Sequence, residues 1–135
     1  MNPLPPYAQL LGLRIDDSAD ECRLVMPFSD DVVGRPGFLH GGAIAGLLEF
    51  AAFTTLARAI GDQSVGMKPI TVTVDYLRGG GRHDTFASAQ IQRLGSRMAN
   101  VEATAWQSDR ATPIANAHLN FLLERPNLAN TPSAS

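Results

Sequence analysis

The chain has one cysteine, one tryptophan and two tyrosines in 135 residues, and it has no basic block. A lone Cys22 excludes an internal disulfide, and no cluster of cysteines and histidines is spelled out that would hold a metal. It fits a reducing compartment, so a cytoplasmic location is expected. The opening MNPLPPYAQL lacks the basic start and apolar stretch of a secretory signal. A formal net charge of −2 without clustered cations argues against a nucleic-acid partner. What is present is ordinary for a globular protein: 44% hydrophobic and 18% charged residues, enough for one core at a one-domain length.

Charge is also scarce within one stretch. Residues 41–60, GGAIAGLLEFAAFTTLARAI, hold only Glu49 and Arg58. Gly, Ala and Thr are as common there as Leu or Ile, and a charge at the bilayer centre costs about 3 kcal/mol, so a membrane span is not expected. The pattern predicts a helix from Gly41 to Ile60, stopped by Gly61 and Asp62. Before it, PLPPYAQLLG reads as a short helical turn, and LGLRIDDSADECRLVMPF as two strands around a turn at Asp16–Asp20. After it the period becomes two. In PITVTVDYLR, residues Ile70, Val72, Val74 and Tyr76 share one face. GGGRHD (79–84) reads as the next turn, followed by the strands TFASAQIQRLG, SRMANVEATAWQ and PIANAHLNFLL. Short connections imply antiparallel strands. A helix apolar on all sides must be wrapped. The expected fold is α+β, an antiparallel sheet around one long central helix, as a single domain over 1–125 with a disordered polar tail over 126–135.

A lone acid in such a helix needs a reason. Burying an isolated carboxylate is costly, and positions 45, 46, 52 and 53 offer Glu49 no basic partner one turn away. A slot open to solvent or to a neighbouring subunit is one explanation. The residues before the helix offer another. Gly37, Gly41 and Gly42 let a ligand approach the backbone closely. A helix's first turn carries unpaired N–H groups, a seat for a carbonyl oxygen that becomes an oxyanion. Gly42 and Glu49 stand seven apart, on one face, about 10 Å along the axis. A reacting carbonyl needs its oxyanion donor and its base or nucleophile each within about 3 Å. One helix can hardly serve both roles; two antiparallel copies across a two-fold axis can. The spacing therefore points to a homodimer with composite sites.

GFLHGGAIAGLLEFAAF, with His40 nine positions before Glu49, resembles the signature of the hotdog-fold acyl-CoA thioesterases of the phenylacetate-degradation (PaaI-like) branch. VDYLRGG, RLGSRMANVEATAW and IANAHLNFLL are similar to the strands of that family, and the resemblance covers about residues 7–123. It implies an acyl-CoA thioesterase, cytoplasmic, a homodimer that commonly assembles as a dimer of dimers. The substrate is then an acyl-CoA and no separate cofactor is needed. It also implies roles. The Gly41 N–H would polarise the thioester carbonyl beside Gly42, Glu49 of the partner subunit would act as general base or nucleophile, and His40 would shape the site. Gly95, Ser96 and Arg97 would contact the CoA portion. One departure stands out: six residues before His40 the family often carries Asn or Gln, and this chain has Gly34. Either Arg35 or a side chain from the 61–68 loop would then take that place, or turnover would be weak.

Other groups read more plainly. His83 and His118 read as solvated or interface residues, Cys22 as a small core residue, and Ser64 and Ser96 lack a nucleophile elbow. Arg78, Arg82 and Arg93 read as surface charge or as cations for a nucleotide. Phe53 and Met67 fit either an acyl pocket or core packing. Two further functions compete with hydrolysis: a non-catalytic acyl-CoA binding module, and a hydroxyacyl dehydratase on the same fold.

Overall fold

A computed structural model describes residues 4–17 and 21–126. Its elements are α1 (Pro6–Leu10), β1 (Arg14–Asp16), β2 (Arg23–Met26), α2 (Gly41–Ile60), β3 (Gly66–Tyr76), β4 (Thr85–Leu94), β5 (Met98–Trp106) and β6 (Ala115–Glu124), with a short 3₁₀ turn at Asp30–Val32. The expected turn at Asp16–Asp20 and tail at 126–135 fall largely outside the described residues.

The six strands form one antiparallel sheet in the order β1-β2-β4-β5-β6-β3, and α2 lies across it. Along β5, Val101, Ala103 and Ala105 alternate inward, as do Ala117, Leu119 and Phe121 along β6. Against this face α2 buries Leu47, Leu48, Ala51, Ala52 and Leu56, all without exposed surface. Fully burying one such leucine side chain contributes about 1.5–3 kcal/mol. The small residues of α2 and the alanines of the strands let helix and sheet approach closely. The helix is long and apolar enough to cross a membrane; in this fold it is the domain's central helix. Gly61 ends it in the left-handed conformation, φ 68°, as a C-terminal glycine does.

The path from β3 to β4 differs from the expected hairpin. GGGRHD does not join neighbouring strands: β3 pairs with β6 at one edge, and β4 lies between β2 and β5. The reason lies in the glycines, which serve close approach rather than a tight turn. A Cβ on Gly80 would lie 2.7 Å from Leu39 Cδ1, one on Gly79 3.0 Å from the Phe38 ring, and Leu39 N donates to Gly80 O. The connection is therefore packed against the segment that leads into α2.

The face assignment in β3 holds for three of four residues. Val72, Val74 and Tyr76 pair with the inward Leu119, Ala117 and Ala115, while Ile70 falls in a bulge between Pro69 and Thr71. That face is largely exposed. Ile70, Val72 and Tyr76 are 48%, 40% and 54% exposed, because β3 is an edge strand that α2 covers only in part. An uncovered edge with apolar side chains invites another strand.

On the outer face, β2, β4 and the β5–β6 connection are tied together at Glu21. Arg110 donates to both Glu21 oxygens and to Ser88 Oγ (2.7 Å), Arg23 donates to the same carboxylate at 3.3 Å, and Arg110 lies 4.5 Å over the Trp106 ring. The Arg110 hydrogen bond holds the Glu21 carboxyl below its ordinary range, against the opposing effect of burial. A depressed folded pKa contributes stability above the unfolded value, lost as pH falls through the folded one. Glu21→Gln is expected to remove this share of acid lability: below pH about 4.3 its urea midpoint falls less steeply with pH than that of the parent chain.

Candidate active site at the start of the central helix

His40 is the N-cap of α2. Its Nδ1 accepts from Gly42 N at 2.9 Å, and its backbone N–H donates to Val32 O at 2.7 Å. An imidazole that accepts at Nδ1 carries its proton, when neutral, on Nε2. That donor is on an exposed side chain at the helix tip. The glycine at 42 is explained by this ring: a Cβ there would lie 3.0 Å from Nδ1.

The cap decides which first-turn amide is free. Gly42 N–H is spent on His40, and Ala43 and Ile44 N–H donate to His40 O. Gly41 N–H donates to no acceptor among the described residues, so the expected oxyanion donor at Gly41 is available and the one at Gly42 is not. Two side chains absent from the sequence-based site hold this turn. Tyr76 Oη donates to Gly41 O at 2.8 Å, and Tyr7 Oη donates to Gly42 O at 3.3 Å. The chain's only tyrosines thus both spend their hydroxyls on the Gly-Gly pair. Tyr7 also closes over Gly46, where a Cβ would come 2.8 Å from its ring, and its ring centroid lies 6.2 Å from that of Phe50. The signal in the sequence was their rarity together with the Tyr-Leu-Arg strand end; no local pattern marks such a contact.

At about 100° per residue, Gly46 and Phe50 lie to one side of Glu49 on the helix surface, and Gly41 and Ala45 to the other. Glu49 therefore stands on the face flanked by Tyr7 and Tyr76. It is half-buried, with no hydrogen bond or ion pair among the described residues. The helix is continuous from 41 to 60, which sets Gly41 and Glu49 about 12 Å apart along the axis.

The remaining expected residues are elsewhere. Gly95, Ser96 and Arg97 form the β4–β5 turn, where Gly95 N donates to Met98 O, Leu123 N to Arg97 O, and Arg125 Nε to Ser96 O at 2.8 Å. Met98 pairs with Leu122, which pairs with Lys68 near the start of β3. Tyr76, touching Gly41, is at the other end of that strand, about 25 Å away. One protomer thus keeps the helix tip and the Gly95–Arg97 turn at opposite ends. Arg125, which pins the turn, carries no sequence signature.

Gly34 packs closely on His40. A Cβ on it would lie 3.0 Å from His40 Cα and 3.4 Å from His40 Cβ, so a side chain there needs the His40 segment to give by a few tenths of an ångström. Arg35 stacks on Phe38, 4.8 Å from the ring. His118 Nδ1 is 3.5 Å from Glu102 on the outer face, and the Cys22 thiol is pushed up by burial, which leaves it protonated and a poor nucleophile. No cluster that could hold a metal ion occurs among the described residues.

Residues 36–114 match the family described as the thioesterase superfamily. A protein of Chromobacterium violaceum is 36% identical, with 91% of this chain and 85% of that chain covered and a TM-score of 0.70. A Bacillus halodurans protein solved with CoA is 19% identical over 92% and 82% of the two chains, TM-score 0.82. A glutamine-to-alanine variant of a Staphylococcus aureus thioesterase is 20% identical over 87% and 98%, TM-score 0.78, and a glutamate-to-alanine variant of the same protein gives 0.77. No curated protein matches.

Proposed function

This chain belongs to the thioesterase superfamily, with its hotdog fold, and we propose that it hydrolyses acyl-CoA thioesters at a composite site. The site joins the α2 tip of one protomer to Glu49 of the partner subunit. One observation carries the reading. A free N–H at Gly41 and an unpartnered carboxylate at Glu49 share one helix, about 12 Å apart, too far to meet on one carbonyl. An antiparallel second copy brings them together. The uncovered apolar edge of β3 supports that copy, and its two-fold axis would also carry the partner's Gly95–Arg97 turn toward the helix tip. A tetramer of two such dimers remains part of the proposal, as does membership of the PaaI-like branch.

In this mechanism the thioester oxygen sits on Gly41 N–H and takes up negative charge there as the tetrahedral intermediate forms. The Glu49 carboxylate takes a proton from water, whose oxygen bonds to the acyl carbon, or attacks that carbon itself. The C–S bond then breaks and the thiolate leaves as CoA, taking up the proton from Glu49 where that carboxylate acted as base; where Glu49 itself attacked, water hydrolyses the mixed anhydride and frees the carboxylate. Tyr76 and Tyr7 hold the carbonyls of Gly41 and Gly42, in the two peptides that follow the Gly41 amide, and so fix the turn that carries it. His40 Nε2–H is a second donor at the mouth. The neighbour solved with CoA supports that portion of the substrate, and the partner's Arg97 would offer a cation to its phosphates. In the S. aureus thioesterase the exchanged glutamine and glutamate stand fifteen apart, as do Gly34 and Glu49 here (49 − 34), which supports reading Glu49 as the acid and Gly34 as the vacated amide position.

A panel of aryl- and alkyl-CoA thioesters assayed for thiol release tests this reading. Release from at least one substrate supports it. Tight binding without release supports the alternative, an acyl-CoA binding module, which the missing side chain at Gly34 favours. Within the hydrolase reading, Tyr76→Phe keeps the ring on Gly41 but loses one hydrogen bond, worth about 1 kcal/mol. We expect kcat to fall about fivefold with KM near the parent value; a change in KM alone would contradict the positioning role.

A further inference from the structure

Downstream of Glu49, the second half of α2 lines a cleft of about 680 Å³. This is within the range of small-molecule sites, about 300–1,000 Å³. Phe50 and Phe53 form its near end, within about one turn of Glu49, and Ile15, Ile60 and Met67 continue it toward Gly61, about 18 Å along the helix. Two charged side chains line it, Arg58 and Asp62, and both are engaged. Arg58 donates to Asp17 at 2.7 and 3.4 Å, and Asp62 accepts from the backbone N–H and hydroxyl of Ser64 at 2.9 and 2.6 Å. The walls therefore offer apolar surface without a spare cation.

Building on the hydrolase reading, we propose that this cleft receives the acyl group and selects uncharged acyl groups of medium length, aliphatic or arylalkanoyl, against acetyl and against acyl groups that end in a carboxylate. The inference rests on Phe50 and Phe53, which line the cleft and neighbour Glu49 on the helix surface. An acyl carbon held beside that carboxylate has its chain led along Phe50 and Phe53, away from the helix tip. A short acyl group leaves the cleft wet. A terminal carboxylate would have to displace the Asp17 carboxylate from Arg58 or be buried unpaired.

Alkyl-CoA thioethers, which cannot be hydrolysed, separate binding from chemistry. By calorimetry on the intact protein, octyl-CoA is expected to bind at least about thirtyfold tighter than ethyl-CoA, since a buried methylene is worth about fourfold, and carboxypropyl-CoA no tighter than ethyl-CoA. Phe53→Trp and Met67→Trp fill the cleft from α2 and from β3, and each is expected to cut the octyl-to-ethyl ratio about tenfold. If the thioethers rank this way while no thioester is cleaved, the cleft assignment holds and the hydrolase reading fails. If thioesters are cleaved but the thioethers bind equally, or fail to bind, or both tryptophan variants keep the ratio, the cleft assignment is overturned and the hydrolase reading stands.

Discussion

Glu49→Gln is expected to lower kcat by about 10²–10⁴-fold, with the fold unchanged. The amide matches the carboxylate in shape but can neither take a proton from water nor attack the acyl carbon. Because Glu49 is half-buried without a partner among the described residues, nothing else is broken by the exchange. Removing an unpaired charge from an apolar face costs no stability and gains some. Thermal unfolding should give a melting temperature equal to the parent's or higher, while thiol release collapses. A variant that keeps a third of the parent turnover would remove Glu49 from the chemistry.

Gly41→Pro addresses the other half of the site. Gly41 is the first residue of α2, the position where proline is tolerated, because its N–H has no intrahelical acceptor and its φ is already helical. The preceding residue must be extended, and His40 has φ −70° and ψ 133°. A Cβ at 41 would rest 3.5 Å from the Tyr76 ring, an ordinary contact. The exchange therefore leaves the helix little disturbed but replaces the amide proton by the ring Cδ, so the loss is at least that of the donor. Loss of a single oxyanion donor lowers kcat by about 10²–10³-fold. We expect that loss, with far-UV circular dichroism and melting temperature near the parent's. Full activity in a folded Gly41→Pro chain would place the oxyanion elsewhere.

Much of this architecture is legible before any coordinates. The central helix announces itself by its lack of charge and by Gly61, and β5 and β6 by their period-two alternation. The location of β3 is not legible. Its alternation is clear in Val72, Val74 and Tyr76, but alternation records which side chains share a face, not whether this protomer covers that face. The glycines at 79–81 mislead for a related reason: a glycine written for close approach to Leu39 and Phe38 looks the same as one written for a hairpin turn. For the site, Glu49 is conspicuous because it is chemically out of place; helix geometry points to the first turn, and Gly41 in particular is implied by the resemblance. Which amide is free is not visible, since it depends on the His40 ring turning toward Gly42. Tyr7 and Tyr76 stand about as far from the helix start in sequence, on either side of it, and meet it only through the fold. At Gly34 the sequence does not show how closely His40 presses on the position.

The composite site can be tested by mixing the two disabled chains. Glu49→Gln and Gly41→Pro protomers, each inactive alone, are allowed to exchange subunits in equal amounts. Half of the dimers are then mixed, and each mixed dimer holds one site with an intact Gly41 facing an intact Glu49 and one site with neither. The account predicts recovery of about a quarter of the parent turnover. A mixture that exchanges subunits, shown by a mass label on one chain, yet stays as inactive as its components would contradict it.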